Sequence, residues 1–330
     1  MLEFTDKGIF CSEAGIHIDP WKPVKNAIIT HGHSDHARMG NGLYICHQDT
    51  KAILQLRLGA GIEVEGIAYN QPFIRNGVTI SLHPAGHIMG SAQVRLEHKG
   101  EIWVVSGDYK LRPDGLSTPF ESVKCHHFIT ESTFGLPIYK FPPADEVYES
   151  INSWWKENAS EGVNTIIIAY ALGKSQAILY HLDESIGEIY LHGAVANVNE
   201  ALTTTGYSFL GKRITPEMDK KAIRGALIIA PSSALSSPWI NKFPLSRKAI
   251  CSGWMQLRGT RRRYGVDRGF VLSDHCDWDQ LNEAVLATEA ERVYVTHGYQ
   301  GIYAKWLNER YQLDAVEVKT QFEPVIGDIE

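Results

Sequence analysis

Six apolar runs in this 330-residue chain end alike, in a His, an Asp or a Glu. Residues 24–30 lead into His31, and 78–82 lead toward His87. Residues 102–105 run to Asp108, and 128–130 to Glu131. Residues 269–272 run to Asp274 and His275, and 292–296 to His297. Short apolar runs of this kind read as buried strands. One polar residue at a strand exit means little. Six, all of metal-ligand or acid–base type, predict a layered α/β fold whose strand ends converge, because sites in such folds sit where strands end.

The first exit is the densest. His31-Gly32-His33-Ser34-Asp35-His36 puts three imidazoles and a carboxylate directly after a strand. Such nitrogen and oxygen donors suit zinc, manganese or iron. With no thiolate among them, a closed structural zinc site is disfavoured and an open, water-bearing catalytic site fits better. A lone His is usually a satisfied polar residue, and the chain has 14; this run of specified positions outweighs that reading. His87 sits among small residues in 84–91, where glycines allow close backbone approach. His83, on the preceding strand, reads as structural.

The length exceeds a single typical core, so two domains or one domain with a large insertion are expected. Hydrophobic residues make up 44% and charged residues 21%, as in soluble globular proteins. No apolar stretch approaches the ~20 residues of a membrane span, and no secretory leader is expected from the first residues. The five cysteines are scattered and never in a C-x-x-C pair, which points to reduced thiols and a cytoplasmic location. A net charge of −6 argues against generic nucleic-acid binding and leaves room for a local basic channel.

Between 139 and about 248 the texture changes to strands alternating with helices, which reads as a small inserted α/β layer. Residues 141–143 read as a linker and 145–158 as a helix with Trp154 and Trp155 in the core. The strand 163–170 exits through ALGKSQ (171–176) into an apolar helix. Lys174 and Ser175 at that helix start make a phosphate-friendly geometry, although many such turns bind nothing. One basic cluster, Arg258, Arg261, Arg262, Arg263 and Arg268, lies between two strand exits and is expected to track a nucleic-acid backbone.

The motifs HGHSDH (31–36), PAGHIMGSA (84–92), SGDYK (106–110), ESTFG (131–135), ALGKSQ (171–176), LSDH (272–275) and THG (296–298) together resemble the metallo-β-lactamase fold in its β-CASP nuclease branch. TESTFGLPIY, SGWMQLRGTRRR and VDRGFVLSDH are similar to the bacterial ligase-associated DNA exonuclease group. The resemblance implies an α/β fold: a four-layer αββα sandwich in two parts, 1–140 and 249–330, with a small α/β β-CASP domain inserted at 141–248. It implies two divalent metal ions, Zn2+ or Mn2+. His31, His33 and His87 would hold one, Asp35, His36 and His297 the other, and Asp108 would bridge them. Asp35 and Asp108 would serve catalysis through the metals, and Glu131 would orient His275 as an acid–base group. Lys174, Ser175, Arg258, Arg261, Arg262 and Arg263 would hold flanking phosphates. The implied activity is a DNA exonuclease on single-stranded or free ends, 5′ to 3′, in end processing or repair. An ATP-dependent DNA ligase and a helicase are the implied partners, with no membrane. The rival readings are a β-CASP ribonuclease, a hydrolase of small thioesters or lactams, and a silent nucleic-acid-binding module.

Overall fold

Strands β1 (Leu2–Thr5), β2 (Gly8–Cys11) and β3 (Ile16–Ile18) form an antiparallel meander. The computed structural model describes residues 1–318. β4 (Asn26–Ile28) and β5 (Leu43–His47) join in parallel. Helix α1 (Gln48–Leu58) then leads to β6 (Val64–Ile67), which completes a six-stranded sheet in chain order. The His47 side chain caps α1 by accepting from the Asp49 amide at 3.3 Å. A second sheet begins with β7 (Phe73–Arg75), β8 (Val78–Pro84), β9 (Ala92–His98) and β10 (Glu101–Val105), all antiparallel neighbours. β11 (His127–Glu131) then pairs parallel to β10.

Helix α2 (Ala144–Ser160) opens a separate compact unit, Phe141–Asp274. Its other elements are β12 (Asn164–Ile168), α3 (Lys174–Tyr180), β13 (Ile189–Leu191), α4 (Gly193–Thr203), β14 (Lys212–Arg213), β15 (Leu227–Ala230), α5 (Ser232–Leu235), β16 (Ser246–Cys251), α6 (Arg258–Tyr264) and β17 (Arg268–Phe270). The strands form one parallel sheet ordered β14-β13-β15-β12-β16-β17. β12 lies inside it and buries all five residues, Asn164 and Thr165 included, so its burial is continuous rather than alternating. Trp154 and Trp155 pack with Ile167, Leu227 and Ile229 on one face of this sheet, as expected of core residues. Each fully buried isoleucine there contributes roughly 1.5–3 kcal/mol.

The chain returns to the first unit at His275, later than the 248/249 boundary expected from sequence. The reason is pairing: β16 is hydrogen-bonded to β12, and β17 to β16, so both belong to the inserted sheet. The part of the expected 249–330 segment beyond 318 lies outside the described residues. Helix α7 (Trp278–Ala287), β18 (Arg292–Thr296), α8 (Gln300–Tyr311) and β19 (Asp314–Glu317) finish the first unit. β18 pairs parallel to β11 and β19 to β18, giving a seven-stranded second sheet.

Three apolar layers hold this unit. Leu54 of α1 packs with Ala27, Tyr44 and Cys46 on the outer face of the first sheet. Ile28 and Ile45 meet Ile80, Val94 and Ile129 between the sheets. Leu281, Val285, Tyr303 and Leu307 of α7 and α8 cover Val104, Phe128 and Val293 on the outer face of the second. The result is a four-layer αββα sandwich with an inserted α/β domain.

Candidate metal centre

Five of the six polar strand exits belong to the two sheets of the first unit. The sixth strand, β17, ends at Phe270 in the inserted sheet, and the chain runs on through 271–274 before His275. Within the first unit the exits do meet. Ligand atoms of His31, His33, His87 and Asp108 all lie within 4.8 Å of one another, and so do those of Asp35, His36 and Asp108, and of Asp108, Glu131 and His275. Asp108 is common to the three groups. Its Oδ2 lies 3.4 Å from His31 Nε2 and 3.8 Å from His87 Nε2, and its Oδ1 lies 3.4 Å from His36 Nε2. His87 Nε2 is 3.1 Å from His33 Nδ1. His297 stands outside those tight groups and stacks on His36 with ring centroids 5.3 Å apart. Its φ of 50° is unusual for a non-glycine residue, and such conformations persist only where the surroundings enforce them.

The loop is braced from behind. Asp19, with φ 44°, accepts from the Thr30 amide at 2.8 Å, from the Thr30 hydroxyl at 2.6 Å and from His36 Nδ1 at 2.7 Å. The Thr30 hydroxyl spends its one proton on Asp19, so its lone pair is left to accept from His31 Nδ1, 3.1 Å away. Both imidazoles are thereby fixed with their Nε2 atoms toward Asp108. Sequence reasoning missed Asp19, although it too follows an apolar strand, the three-residue β3. Arg57 of α1, also missed, donates from Nη1 to the Gly32 carbonyl. Gly107, at φ 57°, lets the Asp108 segment approach: a Cβ there would meet Thr30 Oγ1 at 2.6 Å.

Charge and burial test whether a cation fits. His31 Nε2 and His36 Nε2 are buried with no hydrogen-bond partner. Orphaned buried polar atoms are costly and rare; here two of them face one buried carboxylate. Burial alone would push the His36 imidazole down, but Asp108, Asp35 and Asp19 hold it well above the ordinary histidine range. His31 is pushed well below that range by burial and by His36. Asp108 resists burial and stays well below the usual carboxylate range, chiefly through His36. This end of the site draws positive charge to itself. An all-nitrogen-and-oxygen donor set then fits divalent zinc, manganese or iron.

Glu131 is wholly engaged. Its Oε1 accepts from the Tyr109 amide at 3.0 Å, its Oε2 accepts from the Thr133 hydroxyl, and both oxygens lie 2.9 Å from His275 Nδ1. The carboxylate therefore sets the His275 ring through Nδ1. His83 pairs instead with Ser81 and Glu121, in keeping with a structural role.

The expected phosphate contacts fare differently. Lys174 is buried and paired with Asp274 at 2.9 Å. Ser175 donates its hydroxyl to the Tyr170 carbonyl at 2.7 Å, and the Gly173 amide is taken by Gln176 Oε1 at 2.6 Å. The start of α3 is thus satisfied internally and is no open phosphate cradle. Arg262 and Arg263 of α6 are exposed. The side chains of Arg258 and Arg261 lie outside the described part of the structure.

Among solved structures, this chain matches the crystal structure of a protein of unknown function from Enterococcus faecalis, with a TM-score of 0.60 over 89% of this chain and 79% of that one. At 13% identity that likeness speaks to the fold alone. No family model matches the sequence. A "Probable DNA ligase" of Opitutus terrae is 33% identical over 92% of this chain, which spans 30% of that protein's length. The "Cleavage and polyadenylation specificity factor subunit 3" of Dictyostelium discoideum is 28% identical over 46% of this chain and 19% of its own length. The "Endoribonuclease YSH1" of Mycosarcoma maydis is 21% identical over 92% of this chain and 46% of its own length. An αββα sandwich with His and Asp loops gathered at its strand ends defines a metallo-β-lactamase-type protein. With these relatives, the chain is similar to the β-CASP branch of that fold, near its ligase-associated group.

Proposed function

We propose that this chain is a two-metal phosphodiesterase that digests DNA from single-stranded or free ends, 5′ to 3′, in end processing or repair. One observation carries the reading: a single buried carboxylate, Asp108, faces orphaned imidazole nitrogens on two sides. His31, His33 and His87 would hold one ion, Asp35, His36 and His297 the other, with Asp108 shared between them. Zinc and manganese both suit that donor set. When bound, such a pair supplies an activated nucleophile near neutral pH and positive charge for the phosphate oxygens.

The protein's own groups do the rest. Asp19 and Thr30 keep the Nε2 atoms of His36 and His31 turned toward Asp108. Asp35 and Asp108 return two negative charges, so a site holding two divalent ions stays net positive and suits an anionic diester. His275, with Nδ1 on Glu131, presents Nε2 as the proton donor to the leaving oxygen. Arg262 and Arg263 track the flanking backbone.

The Opitutus relative, named for a DNA ligase, favours DNA and a ligase as working partner, with a helicase by family analogy. The second reading, RNA cleavage, is favoured by the relatives named as endoribonucleases. No described helix is long and apolar enough to cross a membrane.

Degradation of end-labelled single-stranded DNA, matched RNA and a chromogenic lactam across a panel of divalent metals tests these readings. Placing the label at either end reads polarity. DNA loss from the 5′ end with zinc or manganese is expected. Preferential RNA cleavage would support the second reading, and turnover of the lactam alone would overturn both. Full activity in Asp108→Ala would remove the shared-carboxylate scheme.

A further inference from the structure

Two lysines are buried among the described residues, and they differ. Lys174 has a carboxylate partner, Asp274. Lys110, only 6% exposed, has no ion-pair or hydrogen-bond partner for its ammonium among the described residues. Its ammonium is not one of the wholly enclosed orphan atoms, so the packed stem carries the charge to solvent. Lys110 lies two residues beyond Asp108, and its place is closely defined. Its amide donates to the Ala85 carbonyl at 3.0 Å. Its own carbonyl lies so near Gly86, at φ 73°, that a Cβ there would stand 2.2 Å away. The carbonyl of the preceding Tyr109 accepts from the Cys276 amide at 2.9 Å. The Cys276 thiol, pushed well up by burial and then by Glu131, is partly pulled back by the Lys110 ammonium. Lys110 is therefore held among the segments that carry His87, Asp108 and His275.

We infer that Lys110 is a substrate contact: its ammonium receives one phosphate of the nucleic-acid strand, the counter-charge that the folded chain does not itself provide. The inference rests on the phosphodiesterase reading above and adds a residue to it. A surface lysine would be mobile along its whole length; this one has its stem packed in place, so an arriving phosphate meets a charge that is already positioned. The phosphate could be an internal diester or a 5′-terminal monoester, and the assay separates the two.

The test uses manganese-loaded full-length protein and a fluorescein-labelled, hydrolysis-resistant phosphorothioate oligothymidylate, with and without a 5′-phosphate. Anisotropy is read across a KCl series. Lys110→Met is expected to bind about tenfold more weakly and to lower the slope of log K against log salt by about 0.7, one phosphate's worth on a single strand. Lys110→Arg should keep the slope. An equal loss on both oligonucleotides identifies an internal diester; a loss confined to the phosphorylated one identifies the terminal group. Thermal melting of Lys110→Met should match the wild type, because methionine keeps the packed apolar stem and only the charge at its end is lost. An unchanged affinity and slope, or a lowered melting point with the slope unchanged, would make Lys110 a purely structural residue and end the inference. Should the wild-type protein bind neither this DNA nor matched RNA, the phosphodiesterase reading itself falls and takes Lys110 with it.

Discussion

Asp19→Asn changes one heavy atom and should disable half of the metal centre. In the wild type, Asp19 accepts from the Thr30 amide, the Thr30 hydroxyl and His36 Nδ1, at 2.8, 2.6 and 2.7 Å. Asparagine keeps one acceptor, enough for the amide. Its NH2 group then faces His36 Nδ1 as a donor, and the imidazole must accept there. That tautomer carries its proton on Nε2, the nitrogen turned toward Asp35 and Asp108. A protonated nitrogen ligates nothing. Loss of such an outer hydrogen bond typically costs 10–100-fold in metal affinity, and a forced tautomer belongs at or beyond the upper end. Asp19→Ala is the companion. It leaves the buried Thr30 amide unpaired, which costs about 1–3 kcal/mol of stability by itself. Competition with a fluorescent chelator reads manganese affinity and stoichiometry, and melting in EDTA reads the fold. The expected pattern is one weakened site with a near-normal melt for asparagine, and both defects for alanine. Two ions bound to Asp19→Asn with wild-type affinity would refute the tautomer reasoning.

Glu131→Gln keeps the shape and removes the charge that holds His275, so kcat should fall about 10²–10⁴-fold with both metals retained, measured by single-turnover cleavage and metal analysis. Gly107→Ala places a methyl 2.6 Å from Thr30 Oγ1 at a left-handed φ, and should cost about 1–3 kcal/mol in urea unfolding. Burial raises the thiols of Cys46, Cys125 and Cys251 from 9.0 up to about 12. The folded state keeps these protons longer than the unfolded one, so their stabilising contribution is whole below about pH 9 and is lost as pH climbs toward 12. From 9.0 to about 12 is roughly 4 kcal/mol per thiol. Urea midpoints should therefore drop between pH 9 and 11, and a flat profile there would contradict it.

The placing of the HGHSDH loop, Asp108, Glu131 and His297 at strand exits was legible because each follows an apolar run that is strand in the folded chain. Asp19 obeys the same rule, but a three-residue strand is too short to announce itself by pattern. His275 was found for a partly mistaken reason, since β17 belongs to the inserted sheet and not to the sandwich. The return point was misplaced because strand pairing is a long-range property: nothing local in β16 says that its neighbour is β12. Lys174 and Ser175 misled for a related reason. The strand–glycine–helix signature does not show what fills it: Gln176 and Tyr170, at the motif itself, take the Gly173 amide and the Ser175 hydroxyl, and the Lys174 partner Asp274 lies 100 positions away.

The insertion also orders events in time. β11 receives its neighbour β18 only after residues 141–274 have been made, and Glu131 meets His275 across 144 positions of sequence. A polypeptide arrested inside the insertion already carries the HGHSDH loop, His87 and Asp108, yet it has neither His275 nor His297. It also leaves β11 as a raw sheet margin, open to mispairing. Until residues 275–297 follow the insertion, the cluster around Asp108 lacks the Glu131–His275 pair and the His297 ring.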